Sequence, residues 1–349
     1  MRATISSKPD AAKASPRVGA RVHPRIWPCG GQAPFPLRAG SGIARREAPG
    51  GGRRPGRYGV ARQATREISY AHSAQTRTGR GLIRMMENLT GRPRLIRRAA
   101  GYEREVAGGG DFWAVMARRY GLRLDIAGGD LADIPASGPL ILVANHPYGI
   151  LDGLVMGQIL AHVRGDFRIM AHKVFCKAED LDRVILPIDF DESKAAQRVN
   201  IETRRLALAH LGQGGAIGIF PGGTVSTAAR PFASAMDPRW RGFTARMIAK
   251  SGATVVPVYF DGQNSRLFQL ASHLHATLRL GLLIREFRAR VDAPVRIVIG
   301  RPIPAAQLQA LAGEPKAMMD FLRKATYELS PRPLKSYGYG FDFDEKHKV

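Results

Sequence analysis

The chain has 349 residues, with 53 Lys and Arg against 29 Asp and Glu, a formal net charge of +24. Hydrophobic residues make up 44% and Gly and Pro follow no period, which excludes wholesale disorder, collagen and coiled coil and leaves one large domain or two ordinary ones. A chain this basic suits nucleic acid, an anionic membrane surface or acidic small substrates, and the placement of the charge decides among them.

The charge is uneven. Residues 1–66 carry fourteen Lys and Arg and two acids, a net +12, together with eighteen Gly and Pro and no hydrophobic period. Such a segment cannot bury enough surface to offset its ordering entropy and reads as a disordered leader. A polyanion-binding tail or an Arg-rich transit peptide would use the charge. A solvated leader, or sequence upstream of the working start, needs no such role and is the preferred reading. Cys29 lies in this leader and Cys176 is alone in the body, so neither a disulfide framework nor a Cys-based zinc site is expected.

From 67 to 335 the pattern is that of one α/β domain, with a polar C-terminal tail over 336–349. Residues 80–120 read as basic amphipathic helices: Leu82, Ile83, Met85, Met86 and Leu89 recur at helical spacing, as do Phe112, Trp113, Val115 and Met116, with Arg84, Arg92, Arg94, Arg97, Arg98, Arg118 and Arg119 between them. Helices of this kind can lie in a membrane interface or cap a core. Short apolar runs follow at 140–144, 167–171, 184–187, 216–220, 254–260 and 295–299, each reading as a buried strand. Helical patterns separate most of them, at 150–163, 192–211, 238–250, 304–312 and 316–329. This alternation predicts a single layered domain: a mixed, largely parallel sheet flanked by helices. The apolar stretches around 140–143 and 278–284 are too short, or too broken by Arg, to span a bilayer.

Three strand ends could carry chemistry. After the first run come Asn145, His146, Pro147, Tyr148, Gly149, Ile150, Leu151 and Asp152, which set a His at the carboxyl end of a buried strand and an Asp just inside the next helix. A His there can take a proton from a hydroxyl near neutral pH, and a carboxylate on its other nitrogen would fix the tautomer. The plainer alternative is that His146 ends the strand and Asp152 caps the helix. The second run ends in Phe220, Pro221, Gly222, Gly223, Thr224, Val225 and Ser226, where adjacent glycines free backbone N–H groups to face an anion or a developing oxyanion. No Walker A loop, dinucleotide fingerprint or Gly-x-Ser-x-Gly elbow is present. The third delivers Asp261, Gly262, Gln263, Asn264 and Ser265 to what would be the same sheet edge.

Asn145-His146 with Asp152, then Phe220-Pro221-Gly222-Gly223-Thr224 with Ser226, then Val255-Val256-Pro257-Val258 together resemble the lysophospholipid (glycerolipid) acyltransferase superfamily in its His…Asp, Phe-Pro-Glu-Gly-Thr-Arg-Ser and Val-Pro-Val blocks. The residues around His146 and Gln263 look most like the bacterial hemolysin-like and lyso-ornithine-lipid O-acyltransferases. Three departures stand out. Five residues, not four, separate His146 from Asp152; Gly222 stands where the family has Glu; and Val225 stands where it has Arg. Losing a carboxylate and a guanidinium from one loop points away from glycerol 3-phosphate as the acceptor.

The resemblance implies transfer of a fatty acyl group from acyl carrier protein or acyl-CoA to a lysolipid hydroxyl, with no cofactor and no metal. His146 and Asp152 would be catalytic. Asn145, Arg183, Phe220, Pro221, Gly222, Gly223, Thr224, Ser226, Gln263 and Asn264 would bind substrate, with Arg183 a candidate for the missing positive charge. The basic helices would hold the protein against an anionic membrane surface, peripherally on the cytoplasmic face of the inner membrane. No nucleic acid is expected as a partner. Two alternatives remain: a lipid-binding member that has lost catalysis, and a basic nucleic-acid-binding protein.

Overall fold

The computed structural model describes residues 68–74, 76–172, 181, 183–189 and 193–343. The leader, Cys29 and Cys176 lie outside them.

Four helices lead in: α1 (Arg77–Thr90), α2 (Arg92–Ala99), α3 (Tyr102–Ala107) and α4 (Phe112–Tyr120). Thr76 starts α1 by accepting from the Gly79 N–H, and Asp111 does the same for α4 at Ala114. The sheet then alternates with helices: β1 (Arg123–Gly128), β2 (Leu140–Ala144), α5 (Ile150–Val163), β3 (Phe167–His172), β4 (Ile185–Ile188), α6 (Lys194–Gly212) and β5 (Ala216–Ile219). A two-stranded hairpin, β6 (Thr227–Ala228) and β7 (Ala235–Met236), precedes α7 (Gly242–Ser251) and β8 (Thr254–Phe260). The chain closes with α8 (Arg266–Leu274), α9 (Ala276–Arg288), β9 (Pro294–Ile299), α10 (Ala305–Gln309) and α11 (Pro315–Tyr327).

Seven strands form one sheet in the order β1-β9-β8-β2-β5-β3-β4, parallel throughout except where β9 runs antiparallel to β8. The expected mixed, largely parallel sheet is therefore present. Alternation along β2 divides the core. Leu140, Leu142 and Ala144 face the layer of α4, α5 and α9, while Ile141 and Val143 face α6, α7 and α11. From β2 the chain goes outward to β3 and β4, returns to β5 on one side of β2 and later adds β8 on the other. The carboxyl ends of β2, β5 and β8 thus meet at a switch point, where open α/β sheets collect their ligands.

Two regions depart from expectation. In 80–120, Trp113, Val115 and Met116 point into the core, whereas on α1 Leu82, Met85 and Leu89 are exposed and Ile83 is buried. Of the polar tail expected over 336–349, residues 336–339 are exposed, 340–343 pack down, and 344–349 lie outside the described residues. Gly340 N–H donates to Asp237 C=O, Phe341 N–H to Thr227 C=O, and Phe343 is buried.

Candidate active site

β2 ends at Ala144, and the chain turns through Pro147 to Gly149 before α5 begins. Gly149 has φ 82°, a conformation that side chains resist, and a Cβ there would lie 2.7 Å from the Tyr70 hydroxyl. The Ile150 N–H donates to that hydroxyl at 3.1 Å. The turn brings Asp152, fully buried in the first turn of α5, back under His146, with Nδ1 2.9 Å from Oδ2. The five-residue spacing is thus compatible with contact.

The same Oδ2 accepts from the N–H groups of Tyr148 and Gly149 at 2.8 and 3.0 Å, so Asp152 caps the helix and faces the imidazole at once. Nδ1 is within ion-pair distance of Oδ2, although its N–H does not point along a hydrogen bond to it. Burial pushes the Asp152 carboxyl above the usual range, while His146 and the two N–H groups pull against that rise. With Nδ1 turned to a carboxylate, Nε2 is the nitrogen left to act as base. Phe220 stacks on the ring, centroids 4.3 Å apart, and fixes its plane.

His146 opens into a cavity of about 240 Å³. On the side of the loop after β5 and α9 the lining is mixed, with Tyr70, Ser73, Thr224 and Arg279 beside Val225, Leu280 and Leu283. On the side of α4, α5, β3 and β4 it is apolar apart from His172, with Trp113, Leu154, Ile169, Ala171, Ile185 and Ile188. Of the residues expected from the sequence, His146, Phe220, Gly223 and Thr224 line this cavity.

Others form the frame behind it. Asn145 is buried and spends its amide on the Phe260 backbone, accepting at 2.7 Å and donating at 3.0 Å, which stitches the ends of β2 and β8. Pro221 is buried and its carbonyl accepts from Arg241 N–H at 3.1 Å. Ser226 is buried, its N–H donating to His146 C=O at 2.8 Å and its hydroxyl to Asp237. Three more lie elsewhere. Arg183 is exposed between the cavity-lining Leu181 and Ile185, Gln263 accepts from Ala235 N–H on the hairpin, and Asn264 is buried with its Nδ2 unpaired among the described residues.

Two residues that the sequence reading did not single out organise the site. Asp237, at the base of the hairpin, accepts from His146 N–H at 3.2 Å, from the Ser226 hydroxyl and from Trp240 Nε1 at 2.8 Å. A Cβ on Gly222 would sit 3.3 Å from this carboxyl, so Asp237 fills the space a longer side chain at 222 would need. Arg279, on α9, reaches the Thr224–Thr227 loop. Asp237 has Trp240 and Ser226 only 3 and 11 residues away, but its link to His146 spans 91 residues, and the links from Arg279 to Thr227 and Thr224 span 52 and 55.

The acyltransferase family model matches residues 108–333. A lyso-glycine lipid O-acyltransferase of Phocaeicola vulgatus is 24% identical over 228 residues, which is 63% of this chain and 78% of that protein. Human diacylglycerol O-acyltransferase 2-like protein 6 is 26% identical over 196 residues, 48% of this chain and 58% of that protein. The crystal structure of the 1-acyl-sn-glycerophosphate acyltransferase PlsC from Thermotoga maritima aligns with 76% of this chain and 87% of its own, at 16% identity and a TM-score of 0.37. The matched span takes in the His146–Asp152 turn, the Phe220 loop and β8, and with it the chain belongs to the acyltransferase family and is an acyltransferase.

Proposed function

We propose that the protein moves a fatty acyl group from a thioester, acyl carrier protein or acyl-CoA, to the hydroxyl of a lysolipid. The observation that carries this reading is the His146–Asp152 pair on a cavity whose lining from α4, α5, β3 and β4 is apolar apart from His172. His146 Nε2 takes the acceptor's hydroxyl proton. The oxygen attacks the thioester carbonyl, and the tetrahedral intermediate collapses to an ester while the departing thiolate takes the proton back from His146. Asp152 holds the ring and stabilises the imidazolium between these steps. The acyl chain occupies the apolar end. The name of the Phocaeicola relative favours a lysolipid acceptor.

α1 supports a peripheral attachment. Leu82, Met85 and Leu89 are exposed along one side at helical spacing, and the exposed Arg77 and Arg80 lie on the same helix, an arrangement that suits an anionic bilayer surface. Among the described residues no helix is long and apolar enough to cross a membrane. The cytoplasmic face of the inner membrane is the surface proposed.

The test is incubation of the full chain with labelled acyl carrier protein or acyl-CoA and a panel of lysolipids that includes lyso-ornithine and lyso-glycine lipids. A labelled diacyl product that disappears with His146→Ala is expected. No product with any donor and acceptor pair would leave lipid binding without catalysis as the better account.

A further inference from the structure

The segment ahead of α1 contributes to the site. Tyr70 and Ser73 line the cavity that contains His146, and both precede residue 108, where the family match begins. α1 and α2 hold this segment in place. Glu87, fully buried on α1, accepts from the Ser69 hydroxyl with Oε2 and from the Tyr70 N–H with Oε1, each at 2.6 Å. Ser69 Oγ accepts in turn from the Ala71 N–H at 3.0 Å, and Arg92 Nε donates to the Ile68 carbonyl at 2.8 Å.

Tyr70 thus meets the turn after β2 from a fixed backbone. The first N–H groups of a helix have no partner within it. At the start of α5, Asp152 accepts from the N–H groups of Tyr148 and Gly149 in the preceding turn. The N–H of Ile150, the first residue of the helix, goes instead to the Tyr70 hydroxyl at 3.1 Å, 80 positions back in the chain. Burial pushes the Tyr70 phenol well above its usual range, so the group that accepts from Ile150 is a neutral hydroxyl. Ile150 lies between His146 and Asp152 in the chain. This bond therefore helps to set where α5 begins relative to β2, and with it where the carboxylate meets the imidazole.

We propose that Tyr70 is a positioning residue for the turn that carries His146 and Asp152, and that Glu87 positions Tyr70. The proposal rests on the acyl-transfer reading given above. Both residues act through the backbone at Ile150 and touch none of the reacting atoms. The helix that supplies Glu87 exposes Leu82, Met85 and Leu89 on its other side, so the element assigned to the bilayer surface also steadies the base.

Steady-state kinetics of the full chain test this, with labelled acyl carrier protein or acyl-CoA and the lysolipid of the panel above that gives most product. Tyr70→Phe keeps the ring and removes the acceptor of the Ile150 N–H. Its kcat should fall about tenfold with KM for donor and acceptor unchanged, since a displaced base slows the step without loosening either substrate. Glu87→Gln has one acceptor oxygen for two donors and should cost about threefold in kcat, and nothing further in the Tyr70→Phe background. Urea unfolding of each variant checks that the protein assayed is folded. A Tyr70→Phe loss confined to KM would make Tyr70 part of the cavity wall and overturn the proposal, as would an unchanged kcat. Losses that multiply in the double variant would overturn the role of Glu87. Wild-type protein that turns over no donor and acceptor pair would defeat the acyl-transfer reading itself.

Discussion

The two ends of the cavity are built by different means. Around His146, nearly every polar group is bound to another: Asp152 to the turn, Asn145 to β8, Ser226 and Trp240 to Asp237, and Thr224 to Arg279. Around Trp113, Leu154 and Ile185, the described wall is apolar side chains, with His172 at its edge. A hydrogen-bonded frame holds a base within the fractions of an ångström that proton transfer needs. An apolar wall tolerates exchange of one hydrophobic group for another at small cost. On the proposed reading the chemistry and the choice of acyl chain are adjustable separately, and substitutions on the two sides should differ in kind as well as in size.

The largest effect should come from His146→Ala, which removes the base and leaves the frame. Turnover is expected to fall by about 10²–10⁴-fold with the far-ultraviolet circular dichroism unchanged. Asp152→Asn comes next, about a hundredfold in kcat, because the ring loses its carboxylate. Its stability should move the opposite way. Burial raises the Asp152 carboxyl, so the folded state holds that proton to a higher pH than the unfolded chain does, and ionisation weakens the fold as pH rises through the carboxylate range. The Asn variant should match the wild type in acid and exceed it at neutral pH in urea titrations. Equal stability at both pH values would show that Asp152 carries no burial penalty.

Asp237→Asn should cost about tenfold in activity and about 1–3 kcal/mol in stability, since an amide cannot accept from all the donors now converging on the carboxylate. Activity and unfolding measured on the same preparations would check that the two losses go together. The smallest effect belongs to the apolar end. Ala171→Phe should shift preference toward shorter acyl donors by severalfold while leaving the rate with the shortest donor nearly unchanged. A uniform loss across donor lengths would show that this wall does not hold the chain.

The strands on which the site rests were legible because β2, β5 and β8 are short uninterrupted apolar runs, and the turns after β2 and β5 carry the His and the Gly-rich loop in sequence. β1 was not legible. It is an edge strand with an exposed or half-exposed pattern, and its charged Arg123 and Asp125 break the apolar run. The reversal of β9 against β8 leaves no local mark. On α4 the Phe112–Met116 side looks the same in sequence whether it meets lipid or protein, and only packing on α5 sends it inward. Asp237 and Arg279 were missed for a plainer reason: an isolated Asp or Arg in a basic chain has no period or motif to distinguish it, and its value is set entirely by what the fold brings to it.

The Asp237 clamp bears on how this protein comes apart. The contacts that fix the surroundings of His146 join residues 80, 91 and 115 positions apart in the chain. Strand pairing in the same sheet spans separations as long, 114 positions between β2 and β8 and 171 between β1 and β9, so this corner forms together with the sheet and not before or after it. Activity and the sheet should then be lost together: in rising denaturant, turnover and the far-ultraviolet signal are expected to fall in one transition.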